Sequence, residues 1–208
     1  MGEVASHEKN VKKVYKALAN PSDKKLNTIR INAGVWRSRL IKFRNAEGLR
    51  PTPDRVRQTL FNWLGQDLTG KTCLDLFAGT AVLGFEALSR NAKGVVIIEK
   101  TPAVYTTILE NKATLKADNA QVLNIDAIKF LAKNQQKFDV IFLDPPYHQG
   151  WLEQVFPELP AHLNAEGLVY AEAEYALNGA DILGAIWQVV KQSKAGNVYY
   201  HLLKLAHD

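Results

Sequence analysis

The chain has 208 residues, 47% of them hydrophobic, with a single cysteine and a formal net charge of +5. That length suits one large domain, or one domain with a small appendage, around an ordinary globular core. No apolar run reaches the ~18–20 residues that cross a bilayer, and one thiol permits neither an intrachain disulfide nor a cysteine-built zinc site, so membrane-spanning and disulfide-scaffold classes are excluded and a monomer in a reducing cytoplasm is expected.

In chain order, residues 1–27 form a basic extension without an apolar leader segment, in which "VKKVYKALA" can wind a helical turn or two before Asn20-Pro21 stops it. "TIRINAGVWRSRLIKF" alternates apolar and polar residues around Gly34, as an antiparallel hairpin does. "RPTPDRVRQTLFNWLG" reads as a helix with Thr52 as N-cap, Pro53 at the first helical position, Gly65 just past its end, and Val56, Leu60, Phe61 and Leu64 on one face. Hairpin and helix make a second segment, 28–66. The charge is concentrated here: residues 1–57 hold fourteen Lys and Arg against five Asp and Glu, whereas the remainder is net acidic. Basic charge that runs from a tail into patterned sequence favours an anionic, phosphate-bearing partner.

From residue 67 onward the pattern changes to alternating strands and helices. "KTCLDLFAG", "GVVIIEK", "AQVLNID", "FDVIFLD" and "GLVYAEAE" are short, nearly continuous apolar strands separated by helical stretches, which predicts an α/β, three-layer fold with a mostly parallel sheet. "IWQVVKQSKAGNVYYHLLKLA" adds a C-terminal antiparallel hairpin turning at Gly196-Asn197. Ligands of such sheets bind at the carboxyl ends of the strands. Four successive strands carry an acid there: Asp75, Glu99, Asp126 and Asp144. Glu99 lies 20 residues beyond Gly79, where a carboxylate can accept from vicinal ribose hydroxyls. Four carboxylates repel a diphosphate and suit a cationic ligand rich in amines and hydroxyls, and S-adenosylmethionine fits that description. After the fourth strand, "DPPY" places the Asp144 carboxylate and the Pro145 carbonyl as acceptors for an exocyclic amine. Pro145 and Pro146 stiffen the turn, and Tyr147 offers a ring on which a flipped base can stack. Methyl transfer from a sulfonium needs no metal, and the five histidines show no metal-ligand spacing.

The residues "RINAGVWRSRL", "LRPTPDRVRQTLFNWL", "CLDLFAGTAVLGFEALSR" and "FDVIFLDPPY" resemble the class I S-adenosylmethionine-dependent methyltransferases that act on nitrogen. They resemble most closely the RsmD family of small-subunit ribosomal RNA guanine 2-amino methyltransferases. The similarity runs from about Arg30 to Leu205. It implies a seven-stranded methyltransferase domain over 67–208 and a small N-terminal β element that helps grip RNA. The implied substrate is 16S ribosomal RNA within a small ribosomal subunit, with guanine 966 as the nucleotide. It implies a cofactor site of Asp75, Phe77, Gly79, Thr80, Glu99, Lys100, Asp126, Ala127 and Asp144, and chemistry at Asp144, Pro145, Pro146 and Tyr147. Arg30, Trp36, Arg37, Arg39, Arg50, Arg55 and Arg57 are the implied RNA side, some of them bracing the cofactor loop instead. Two positions depart from the family. Ala81 replaces the second glycine of "AGTGALG"; a negative φ is expected there, since alanine favours the helix that begins at that point. Ser38 in "WRSR" stands where glycine is common. Two other readings are a DNA adenine methyltransferase, and an RNA-binding protein whose methyltransferase-like fold is inactive.

Overall fold

The computed structural model describes residues 26–44, 51–177 and 181–206. The basic extension, except for its last two residues, and Arg50 lie outside the described residues, as does the helical turn read near residue 15.

Two strands, β1 (Leu26–Arg30) and β2 (Leu40–Arg44), pair antiparallel as a separate hairpin. The helix α1 (Asp54–Leu64) follows. The main sheet then alternates β3 (Thr72–Asp75), α2 (Val82–Ser89), β4 (Gly94–Ile98), α3 (Pro102–Leu115), β5 (Ala120–Leu123), α4 (Ala127–Leu131), β6 (Phe138–Leu143), α5 (Trp151–Val155) and β7 (Leu163–Ala173). A hairpin of β8 (Trp187–Ala195) and β9 (Val198–Leu205) closes one edge. The seven strands lie in the order β5-β4-β3-β6-β7-β9-β8; the first five are parallel, and β9 runs antiparallel to both of its neighbours. The chain winds outward one way from β3 through β4 to β5, then the other way from β6 to β7. The C-terminal ends of β3 and β6 are therefore the topological switch point.

Strand alternation builds the layers. Cys73, Val95, Ile97, Val140, Phe142 and Tyr170 point to one face and pack with α1, α2 and α3. Leu74, Val96, Ile98, Ile141, Leu143 and Val169 point to the other and pack with α4 and α5. The same parity sends Asp75, Asp144 and Glu172 toward the first face. The N-terminal hairpin joins that layer too, since Ile31 and Ile41 are fully buried in one cluster with Leu60, Phe61 and Phe85.

The hairpin loop is pinned to the end of α2. Val35 donates its N–H to the Ser89 carbonyl at 2.7 Å, Trp36 donates to Ser89 Oγ at 2.9 Å, and Ser89 Oγ donates to the Ala33 carbonyl at 2.5 Å. A Cβ on Gly34 would sit 1.7 Å from the Ser89 carbonyl oxygen, so this approach requires glycine. β2 then runs along α3, with the Lys42 backbone bonded to the Asn111 amide and Arg44 Nε donating to Thr107 Oγ1 at 3.1 Å.

The start of α1 differs from its sequence reading. Pro53 occupies the N-cap without a side-chain cap bond, and Asp54 begins the helix. Thr52 is therefore not the cap, and its hydroxyl is directed into the interior. Gly65 ends the helix at φ +94° as expected.

Candidate active site

The four strand-end acids come together along adjacent parallel strands. Asp75, the last residue of β3, is 3% exposed, and its Oδ2 accepts the Gly84 N–H at 3.0 Å. A Cβ on Gly84 would lie 3.2 Å from that oxygen, tighter than an ordinary contact, so a larger residue there would have to displace the carboxylate by a few tenths of an ångström. Burial, and secondarily the Glu99 charge, push Asp75 up to about 7. Glu99 follows β4 and is nearly buried; its Oε2 accepts the Gly79 N–H at 3.1 Å and its Oε1 accepts the Thr101 N–H at 2.6 Å. A carboxylate has about four lone-pair sites, so both oxygens can still accept from a diol. Asp126 caps α4, with Oδ1 accepting from Ile128 and Lys129. Ala127, the first residue of α4, is buried beneath it.

The loop between β3 and α2 carries Phe77, Gly79 and Thr80. Thr80 is buried, and its hydroxyl accepts the Val82 N–H at 3.3 Å. Phe77 meets the Trp151 ring edge-on at 5.5 Å, and Lys100 Nζ stands 5.0 Å over the same ring. Ala81 overturns its expectation: φ is +57°, left-handed, and the residue is completely buried. The chain must turn sharply from the loop into α2, and the Ala81 N–H closes that turn on the Ala78 carbonyl at 2.6 Å. Ser38 is also left-handed, at φ +68°.

Asp144 leaves β6 one position beyond Leu143, which pairs with Ala171, so Glu172 on β7 is its neighbour across the sheet. Sequence reading missed Glu172. It is 3% exposed and accepts from the Tyr170 hydroxyl at 2.8 Å. Thr52 Oγ1 donates to Asp144 Oδ2 at 3.2 Å. Burial, then the Glu172 charge and then Asp75, raise Asp144 well above the usual carboxylate range. Burial raises Glu172 as well, against the hydrogen bond from Tyr170. Two facing carboxyls on an apolar sheet resist carrying both charges. Burial and the surrounding acids also push the Tyr147 phenol up, so it stays a neutral donor. A cleft opens beside it, lined by Pro145, Pro146, Tyr147, Trp151, Glu172, Glu174 and Tyr175. A strand acid at a position that alternates inward, in "VYAEAE", was the available signal for Glu172.

The residues expected on the RNA side divide. Arg57 is not on the surface: it is 0% exposed, pairs with Glu86 at 2.5 Å and with Asp54, and donates to the Arg30 carbonyl at 3.0 Å. It braces the hairpin against α2. Trp36 is half-buried against the core. Arg30, Arg37, Arg39 and Arg55 are exposed. Arg30 holds the Ser38 carbonyl at 3.0 Å and Arg39 the Thr114 carbonyl at 2.6 Å. The loop bearing Arg37 and Arg39 lies at the C-terminal ends of α2 and α3, the end of the sheet away from the acids. The eight residues of α2, which end at Ser89, span about 12 Å from the loop after β3. Arg44 lies beside Thr107, and Thr52 lies beside Asp144 at the acidic end. Among the described residues no cluster of His, Cys, Asp and Glu is arranged for a metal, and no helix is long and apolar enough to cross a membrane.

The chain matches known proteins over nearly the whole fold. A family model described as conserved hypothetical protein 95 matches residues 29–204. Ribosomal RNA small subunit methyltransferase D of Escherichia coli K12 is 42% identical over 187 residues, covering 89% of this chain and 94% of that protein. The Haemophilus influenzae protein of the same name is 43% identical over 180 residues, covering 84% and 92%. The chain belongs to the ribosomal RNA small subunit methyltransferase D family. The solved structure of the Escherichia coli protein yhhF superposes with a TM-score of 0.78 at 41% identity, covering 86% of this chain and 98% of that one. The fold is the class I methyltransferase fold, with the small N-terminal hairpin and C-terminal antiparallel strands that the resemblance implied.

Proposed function

We propose that this protein transfers a methyl group from S-adenosylmethionine to the exocyclic 2-amino group of a guanine in 16S ribosomal RNA, guanine 966, presented by an assembled or assembling small subunit. Methylation of small-subunit ribosomal RNA and the use of S-adenosylmethionine follow from the family. The residues fit this cofactor: Glu99 has lone pairs left for a ribose, and Asp75 and Asp144 offer negative charge to a sulfonium at the switch point. The cofactor supplies an electrophilic methyl group.

The observation that carries the reading is Asp144 at the end of β6, held by Thr52 and facing Glu172 across the sheet. A guanine 2-amino group is a poor nucleophile, because its lone pair is delocalised into the ring. The Asp144 carboxylate and the Pro145 carbonyl accept its two N–H bonds, which favours a pyramidal nitrogen with its lone pair directed away from them. Asp144 can also take the proton that methylation releases. Tyr147, which lines the same cleft as Glu172, presents its ring to the base. Exposed Arg30, Arg37, Arg39 and Arg55 supply positive charge for the RNA backbone.

The test uses radiolabelled S-adenosylmethionine with small subunits from a strain lacking its own enzyme, beside naked 16S RNA and DNA. Label recovered as N2-methylguanosine from the subunits is expected. Asp144→Ala should abolish it while leaving cofactor affinity within about tenfold, roughly 1.4 kcal/mol. Label in adenine of DNA would replace this reading with the DNA one.

A further inference from the structure

We infer that Thr52 is a positioning residue for methyl transfer, its hydroxyl holding the Asp144 carboxylate in the orientation that accepts the target amine. The inference rests on the proposed role of Asp144 in the reaction and adds a residue from outside the methyltransferase sheet. Thr52 is 4% exposed, sits before α1 in the segment that leads from the basic hairpin, and reaches across the fold to the chain after β6. Its hydroxyl donates to one of two acids that neighbour each other across the sheet.

A hydroxyl has one proton and two lone pairs. It can donate to the Asp144 carboxyl when that group is ionised and accept from it when that group is protonated. Two facing acids that resist full ionisation need such a partner, because without it Asp144 could turn toward Glu172 and share a proton with it. The groups facing Asp144 are Glu172 and Tyr170 from β7, Asp75 from β3, Tyr147 from its own loop, and Thr52. Of these, Thr52 is the one that both contacts Asp144 as a neutral donor and comes from the RNA-side segment. Its bond favours the ionised carboxylate, opposing burial and the neighbouring acids.

Two substitutions separate the hydroxyl from the packing. Thr52→Val keeps the volume and removes the hydroxyl; Thr52→Ser keeps the hydroxyl and removes a methyl. With small subunits as acceptor, Thr52→Val is expected to lower kcat roughly 10–100-fold, with KM for S-adenosylmethionine within about twofold. Losing a donor to the charged form raises the pKa of Asp144, so the acidic limb of the kcat profile should move to higher pH. Thr52→Ser should recover most of the rate and the original limb. A serine variant as slow as the valine one, or an unmoved limb, would overturn the inference in favour of packing alone. A second measurement needs no acceptor: carboxyl 13C NMR titration of the free protein, with the Asp144 signal identified by its loss in Asp144→Asn. Thr52→Val should move that titration to higher pH and Thr52→Ser should leave it in place. An unmoved Asp144 signal sinks the proposed hydrogen bond, whereas failure of the wild-type protein to label guanine sinks only the proposed acceptor.

Discussion

At the scale of single residues, the site stores strain and unfavourable charge where the chain must turn. Ala81 holds a left-handed conformation at φ +57° with no exposure, a conformation that costs an L-residue about 1–2 kcal/mol. Glycine adopts it freely but loses more entropy on folding. Ala81→Gly should therefore stabilise the free protein by about 0.5–1 kcal/mol, read as a shift in the urea midpoint at constant slope. A destabilised variant would mean that the buried Ala81 methyl contributes more by packing than the turn costs. Helix propensity favours alanine at this position, whereas the backbone turn sets its conformation. Charge behaves similarly. Asp75 titrates near 7, above its unfolded value near 4, so its contribution to stability is full below about pH 4 and is lost as the pH rises through 7. Asp144 and Glu172 are shifted in the same direction, so the three effects reinforce one another. Urea unfolding of the cofactor-free protein should show stability falling by about 1–3 kcal/mol between pH 5 and 8, and Asp75→Asn should flatten that slope. Equal slopes for the two proteins would show that Asp75 is ionised throughout.

At the scale of elements, a buried ionic cluster ties the N-terminal hairpin, α1 and α2 together. Glu86 accepts from Arg57 at 2.5 Å, from Arg90, and from the Asn32 N–H at 2.7 Å, while Arg90 stacks 4.1 Å over the Phe61 ring. Every residue of α2 is buried, so its acid has no access to water. Removing one member of such a cluster leaves charges without partners. Glu86→Ala should cost about 3–5 kcal/mol in chemical unfolding, and a loss under about 1 kcal/mol would mean that the two arginines find water instead. Part of this cluster was readable: Arg57 is three and four residues before Leu60 and Phe61, on the buried face of α1. The arginine count of the N-terminal segment suggested an RNA role for it instead. The helix and strand order, the antiparallel hairpins at both ends and the C-terminal Gly65 cap all follow from local patterning, because periodicity and turn chemistry act over a few residues. The N-cap at Thr52 does not, because its hydroxyl is engaged by a carboxyl 92 residues away.

At the scale of the whole molecule, the exposed Arg37 and Arg39 and the strand-end acids are separated along the helices. In the proposed reaction Arg37 and Arg39, at the far end of α2 and α3, would grip RNA away from the nucleotide being modified. Replacing both by alanine should raise KM for small subunits and flatten the salt dependence of binding by about 0.7–0.9 for each phosphate no longer neutralised, with kcat at saturation unchanged. A lower kcat with an unaltered salt slope would place these arginines in catalysis instead. The alternating fold, the four strand-end acids and the DPPY turn are legible in the linear chain, because each is written in contiguous residues with a local physical meaning. The folded molecule was needed to show that Glu172 faces Asp144, that Thr52 reaches Asp144, that Arg57 is buried and that Ala81 turns left-handed. Those facts depend on strand register, on a helix packing across the sheet and on the angle at which a loop enters a helix, and each of these is set by residues far apart in the chain.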